Sequence, residues 1–329
     1  MKKRGLSLFL ALALCLTLLP AAAFANGEPE TSTSHTHYLC GNAEACSHVG
    51  GHNEDSKTTF ATAITQAENG KVYVGGDPEE HLYQCVLSNG GTYYLDSDLV
   101  LKGPPNAQFG CIQIDGNVAL CLNGHTITII DDRDAFDIRR FAESNPPTLT
   151  LTDCKNSGQI THGTSNGTKY LGNGVSLHKS CNFIMYGGSI TNNTTVWNGG
   201  GVYVEGSGKF YMNGGEISGN NASSNSGSSG GGVHIGSGAF AMTGGTISGN
   251  SASNNGGGVH IGSGSTFTMT GGSITGNNAG TGGGVYVSSD VGYGNSILTL
   301  SGAVQITGNK QGSSASNVYL RSGKTITIG

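Results

Sequence analysis

The sequence predicts an all-β chain: a single parallel β-helix, or solenoid, entered through a short capping helix. Three observations predict it. The segments Val202-Tyr203-Val204, Val233-His234-Ile235, Val259-His260-Ile261 and Val285-Tyr286-Val287 each follow a glycine, and Gly174-Val175-Ser176-Leu177 is a weaker first copy. After each comes an apolar pair two residues apart: Phe183/Met185, Phe210/Met212, Phe240/Met242, Phe267/Met269 and Leu298/Leu300. A third short strand centres on Ile190, Ile217, Ile247, Ile274 and Ile306, and an asparagine stands three places beyond each (Asn193, Asn220, Asn250, Asn277, Asn309). Repeated three-strand units of 26 to 33 residues with Gly, Asn and Ser corners are the mark of a solenoid. No 3.6-residue apolar stripe appears within the repeats, which excludes crossover helices there.

Taken in order, residues 1–25 read as a secretory signal peptide. Lys2, Lys3 and Arg4 form its charged start, Leu6 to Leu19 its apolar core, and Ala23-Phe24-Ala25 its cleavage site. A secreted or wall-associated protein is therefore expected. Its removal leaves 13 basic against 21 acidic side chains. With no basic stripe and no later apolar run of membrane length, neither a nucleic-acid partner nor a membrane span is expected.

Residues 26–56 form a polar His/Cys-rich segment. His35, His37, Cys40, Cys46, His48 and His52 supply enough nitrogen and sulfur for a structural Zn²⁺ site, the one cofactor the sequence suggests. A Cys40–Cys46 disulfide among solvated histidines is the competing reading. Residues 57–90 make the capping region: an amphipathic helix over Ser56 to Glu68, with Phe60, Ala63, Ile64 and Ala67 on one face, then an entry strand over Lys71 to Val74. The β-helix itself is placed over 91–329. Tyr93/Leu95 with Leu99/Leu101 start it, Ile112/Ile114, Leu120/Leu122 and Ile127 form the next coil, and Phe136/Ile138, Leu149/Leu151 and Ile160 the one after. The last residues, Thr325 to Gly329, read as an uncapped strand, so truncation at the C-terminal end is expected.

Stacking such coils in register ~4.8 Å apart puts Val on Val, Phe on Phe and Ile on Ile. Glycine permits the corners, and asparagine tolerates left-handed backbone while bonding to the asparagine above. The run Leu120-Cys121-Leu122-Asn123-Gly124-His125-Thr126-Ile127 resembles a segment of right-handed β-helix proteins of the pectate-lyase-like superfamily. The Gly-Gly-Gly-Val and Thr-Ile-Ser-Gly-Asn phrases resemble those of secreted adhesin-like β-helix proteins of gut Firmicutes. The resemblance covers about residues 90–329. It implies a right-handed coil, and a function anywhere among lyases, hydrolases, tailspikes and inert adhesins.

Two surface features could carry function. The middle residue of each Val-rich strand must point outward, so Ser176, Tyr203, His234, His260, Tyr286 and Tyr319 should form a solvent-facing stripe, with Trp197 in the loop leading to Tyr203. Aligned rings suit sugar faces, although β-propensity alone also favours aromatics on sheets. A second outward column, Thr161, Thr191, Ser218, Ser248, Thr275 and Thr307, reads as solvated hydroxyls. The other candidate is the charged corner Asp131, Asp132, Arg133, Asp134, Asp137, Arg139 and Arg140, with Asp153 and Lys155. Solvated loops carry such runs, and within it Asp131, Asp132, Asp134 and Arg139 are the candidates for catalysis. The repeats themselves hold only Glu205, Glu216 and Asp290 as acids. The leading expectation is a non-catalytic adhesin-like scaffold binding a host, dietary or cell-wall glycan through the stripe. The alternative is a polysaccharide lyase or glycoside hydrolase acting at the corner.

Overall fold

The computed structural model describes residues 90–102, 110–140, 145–225, 227–288 and 294–329, with the strands Tyr73–Val74 and Cys85–Leu87. The signal peptide, the His/Cys-rich segment and the capping helix lie outside the described residues. Within them every regular element is a strand, and nearly all pair parallel with the strand one coil away. The chain is a β-solenoid.

Its cross-section has three strand positions plus a corner ladder. The Val-rich strands stack into a nine-stranded sheet running from Cys85–Leu87 through Phe136–Ile138, Val175–Leu177 and Val202–Val204 to Val318–Leu320. The Phe and Ile strands belong to a second sheet, because Thr266–Thr275 and Ile297–Thr307 run unbroken across the corner between them. Short strands such as Thr194–Thr195, Asn221–Ala222 and Ser251–Asn255 make a third sheet that the sequence did not suggest, with Ala222, Ala252 and Ala279 packed beneath it. The solenoid's first rung, Cys85–Leu87, pairs with Ile112–Ile114, so stacking starts before residue 91. Tyr73–Val74 enters antiparallel against Leu99–Lys102.

The ladders are in the expected register: Val202↔Val233↔Val259↔Val285, Phe183↔Phe210↔Phe240↔Phe267 and Ile190↔Ile217↔Ile247↔Ile274. The phenylalanine rings stack with centroids 4.6–4.9 Å apart and are fully buried. One pair differs. Val118 and Leu120, not Leu120 and Leu122, align with Leu149 and Leu151.

The asparagines form a continuous internal ladder. The Oδ1 of Asn250 accepts from the backbone N–H and the Nδ2 of Asn220, both at 2.9 Å, and its own Nδ2 donates to Ile217 O and to Asn277 Oδ1. The pattern repeats from Asn193 to Asn309 and ends on Asn317. The left-handed backbone falls one residue earlier than expected, on Gly219, Gly249, Gly276 and Gly308, with Asn192 taking it in the first copy. The ladder asparagines are thus selected for their amide, which satisfies buried backbone groups at the bend.

Candidate functional site

The outward stripe exists, and its register is Gln113, Asp137, Ser176, Tyr203, His234, His260, Tyr286, Tyr319. Its rings stack face to face: Tyr203 on His234 at 5.5 Å, His234 on His260 at 4.6 Å, His260 on Tyr286 at 5.2 Å and Tyr286 on Tyr319 at 5.4 Å. It is not solvent-facing. Only Tyr319 is exposed; His234 and Tyr286 are 7% and 6% exposed, and Tyr203 and His260 are half-buried. The Gly-Gly-Gly corners cause this. The first glycine of each triplet has positive φ and doubles the loop back, so that a Cβ on Gly230 would sit 2.7 Å from the His234 Cα, and one on Gly256 2.9 Å from the His260 Cα. The second and third lie against backbone of the next coil, where a Cβ on Gly257 would stand 2.3 Å from Asn278 O. Three glycines in a row let the loop roof the stripe.

Burial has an electrostatic consequence. Desolvation holds the His234 pKa well below the ordinary value of 6.5, the neighbouring His260 pushes it the same way, and a hydrogen bond with the Ser229 backbone opposes both. An unfolded chain takes up this proton near pH 6.5 while the folded one does not. Stability is therefore fully present above about pH 6.5 and falls as pH drops below it, by up to about 1.4 kcal/mol per pH unit from this group. Thermal melts between pH 8 and 5 should show the fall, and His234→Phe, which keeps a ring in the stack, should flatten it. An unchanged slope in the variant would assign the effect to another group.

At its lower end the stripe opens into a cleft of ≈ 570 Å³. The floor is three successive rungs of the Val-rich sheet, where residues two apart share the outer face: Asp137 with Arg139, Ser176 with His178, and Tyr203. One wall is Asp132, Arg133 and Asp134, and the other is Thr195, Val196, Trp197 and Asn198. The two sequence candidates thus meet in one place. Trp197 is 77% exposed on its rim and Val196 beside it 41%.

The floor is tightly wired. Arg139 clamps the buried Asp137 with a two-pronged contact, Nε to Oδ1 and Nη2 to Oδ2, both 3.2 Å. Its Nη2 also lies 3.0 Å from His178 Nε2. A guanidinium cannot accept, so Nε2 is the acceptor, and the ring proton sits on Nδ1, aimed at Glu205 Oε2 at 3.3 Å. Asp134 accepts from Ser176 Oγ at 2.6 Å and from the Asn173 N–H at 2.7 Å. Burial nevertheless raises its pKa above the ordinary carboxylate value, against the pull of those two bonds, and the Asp137 charge adds to the rise. Tyr203 is also pushed up, by burial and then by Glu205 and Asp134, which keeps its phenol a donor.

Other candidates have structural duties. Asp131 faces Arg133 at 3.8 Å and caps the Asp132 N–H, outside the cleft. Asp132 holds the Leu171 N–H through Oδ1 at 2.8 Å. Asp153 ties down the Gly124 and Gly158 N–H groups at 2.7 and 2.6 Å and does not reach the cleft, nor do Lys155 and Arg140 line it. His162 bridges Asn193 Oδ1 and Arg133 O at 2.7 Å each, and so starts the asparagine ladder. Sequence reasoning missed His178 and Asn173. His178 directly follows the strand Val175–Leu177, two places beyond the outward Ser176, and that parity was the available signal for the first. The six residues from His35 to His52 expected to bind zinc lie outside the described residues, among which no group of three or more His, Cys, Asp or Glu is placed to hold a metal ion. No helix among the described residues is long and apolar enough to cross a membrane.

No protein-family model matches this chain, and no curated protein or solved structure gives a significant match.

Proposed function

We propose that this protein is a secreted or cell-surface β-solenoid that binds a glycan without cleaving it, in the cleft between Trp197 and Asp134. The observation that carries the reading is the exposed indole of Trp197 across from a floor and wall of fixed polar groups. Sugar C–H faces stack on an aromatic plane while hydroxyls bond to groups such as Asp132, Asn198 and Tyr203, the usual division of labour in a small-ligand site. The roofed upper stripe, His234 to Tyr286, is then a spine supporting the cleft and not the binding surface.

A second reading, hydrolysis, draws on Asp134. A carboxyl with a raised pKa beside another carboxylate is the arrangement of a general acid with its partner. Both Asp137 oxygens are engaged by Arg139, however, which leaves that carboxylate poorly disposed to activate water. Binding is favoured for that reason.

The test is a panel of neutral, acidic and amino polysaccharides run in affinity electrophoresis, followed by titration of the best ligand. Trp197→Ala should weaken that ligand at least 30-fold, the scale of a central aromatic anchor, without moving the melting temperature. Full binding by the variant, or no ligand in the panel, counts against the cleft. New reducing ends that vanish in Asp134→Asn would establish hydrolysis instead.

A further inference from the structure

We infer that Cys121 and Cys154 are the two halves of an intramolecular disulfide that staples two consecutive coils of the lower solenoid. Four cysteines are described with free thiols, and they fall into two classes. Cys111 and Cys181 are dispersed in the main hydrophobic core. Cys121 and Cys154 instead pack against one another in a separate cluster on the outside of the second sheet, joined there by Tyr94.

The chain geometry makes the pairing reproducible. Cys121 ends the strand Asn117–Cys121, whose register partner one coil up is Thr152. Leu120 and Leu122 on either side point into the core, so the Cys121 side chain points out, where the turn after Thr152 brings Cys154 over it. The turn is fixed by Asp153, which accepts from Gly124 and Gly158 in both coils. The Cys154 Sγ is steered further by its contact with Asn123 Oδ1 at 3.3 Å. Both residues are almost fully shielded, Cys121 at 0% and Cys154 at 5% exposure.

Shielding also sets when the bond can form. Burial, the adjacent Cys121 and a hydrogen bond with it raise the Cys154 thiol pKa to about 12, so the finished fold holds almost no reactive thiolate at neutral pH. Oxidation belongs to the folding stage, with a disulfide-bearing thiol compound or oxidoreductase as oxidant. One cysteine thiolate attacks the oxidant's S–S bond, forming a mixed disulfide and releasing one thiolate. The second cysteine thiolate attacks the protein sulfur of that mixed disulfide, closing Cys121–Cys154 and expelling the other thiolate. The two thiol protons pass to the departing thiolates, and two electrons leave with the oxidant. A closed loop of about thirty residues constrains the unfolded chain strongly.

The experiment refolds the full chain with mixed reduced and oxidised glutathione, blocks residual thiols under denaturing conditions, and maps peptides by tandem mass spectrometry. The tryptic peptide ending at Arg133 carries both Cys111 and Cys121, so fragmentation must separate them. A Cys121–Cys154 cross-link is expected, and its reduction should lower the melting temperature by roughly 10 °C. Cys121→Ala should remove both the cross-link and the sensitivity to reductant. Blocked Cys121 and Cys154 in the refolded, unreduced protein would overturn the inference, as would either one pairing elsewhere. If Cys121→Ala fails to fold, the peptide map of the wild-type chain still decides.

Discussion

Phe240→Asp is expected to abolish the cooperative thermal transition. Phe240 is 1% exposed and sits between Phe210 and Phe267, with ring centroids 4.6 Å away on each side. Removing the ring alone costs about 3–5 kcal/mol, as in other large-to-small core changes. The carboxylate then has no partner in an all-carbon column, and burying it adds several kcal/mol or forces the coil open to water. The sum approaches the whole stability of a typical domain, about 5–15 kcal/mol. Each coil of a solenoid is supported only by its neighbours, so a lesion at this rung also uncouples the coils above from those below. Phe240→Leu should still fold, a few kcal/mol weaker, because it keeps an apolar knob on the ladder. Far-ultraviolet circular dichroism melts of the three proteins make the comparison, and an aspartate variant melting within a few degrees of wild type would refute the inward assignment of the phenylalanine column.

The same column shows what was legible in the sequence. Val, Phe and Ile recur at fixed offsets, and each offset became a ladder, because in-register stacking is the only way such short strands can bury a face. Parity also put Tyr203, His234 and Tyr286 on the outer side of their sheet correctly. Parity says nothing about what lies over that side. The glycine triplets fold their loops back onto it, a placement fixed by close backbone approach between coils, and so an expected solvent-facing stripe is mostly a roofed one. The cleft was hidden for a related reason. Asp134, His178 and Trp197 come from three successive coils and meet only once the stack is built. Asp137, read as part of a charged corner, is instead the second residue of a strand and nearly inaccessible, at 2% exposure.

Asn250→Leu tests the other element that the repeats announced. Leucine has the same number of side-chain heavy atoms as asparagine but is bulkier, so no cavity opens and the loss combines the deleted hydrogen bonds with some overpacking. The variant deletes both bonds that Asn250 Oδ1 accepts from Asn220 and both that its Nδ2 donates, to Ile217 O and Asn277 Oδ1. The Asn220 backbone N–H and one of its amide hydrogens lose their acceptor where neither residue reaches water, Asn220 being 0% and Asn250 1% exposed. Leaving a buried donor unmade costs about 1–3 kcal/mol each, so a loss of roughly 2–6 kcal/mol is expected by urea denaturation. The neighbouring corners should suffer as well, since each asparagine positions the amide below it and polarised chains of bonds weaken together. Hydrogen exchange should then show faster exchange at the Asn220 and Asn193 amides, one and two coils down, than at positions on the Phe face of the same coils. A leucine variant within 1 kcal/mol of wild type would mean that stacking of the apolar ladders, and not the amide spine, fixes the bend.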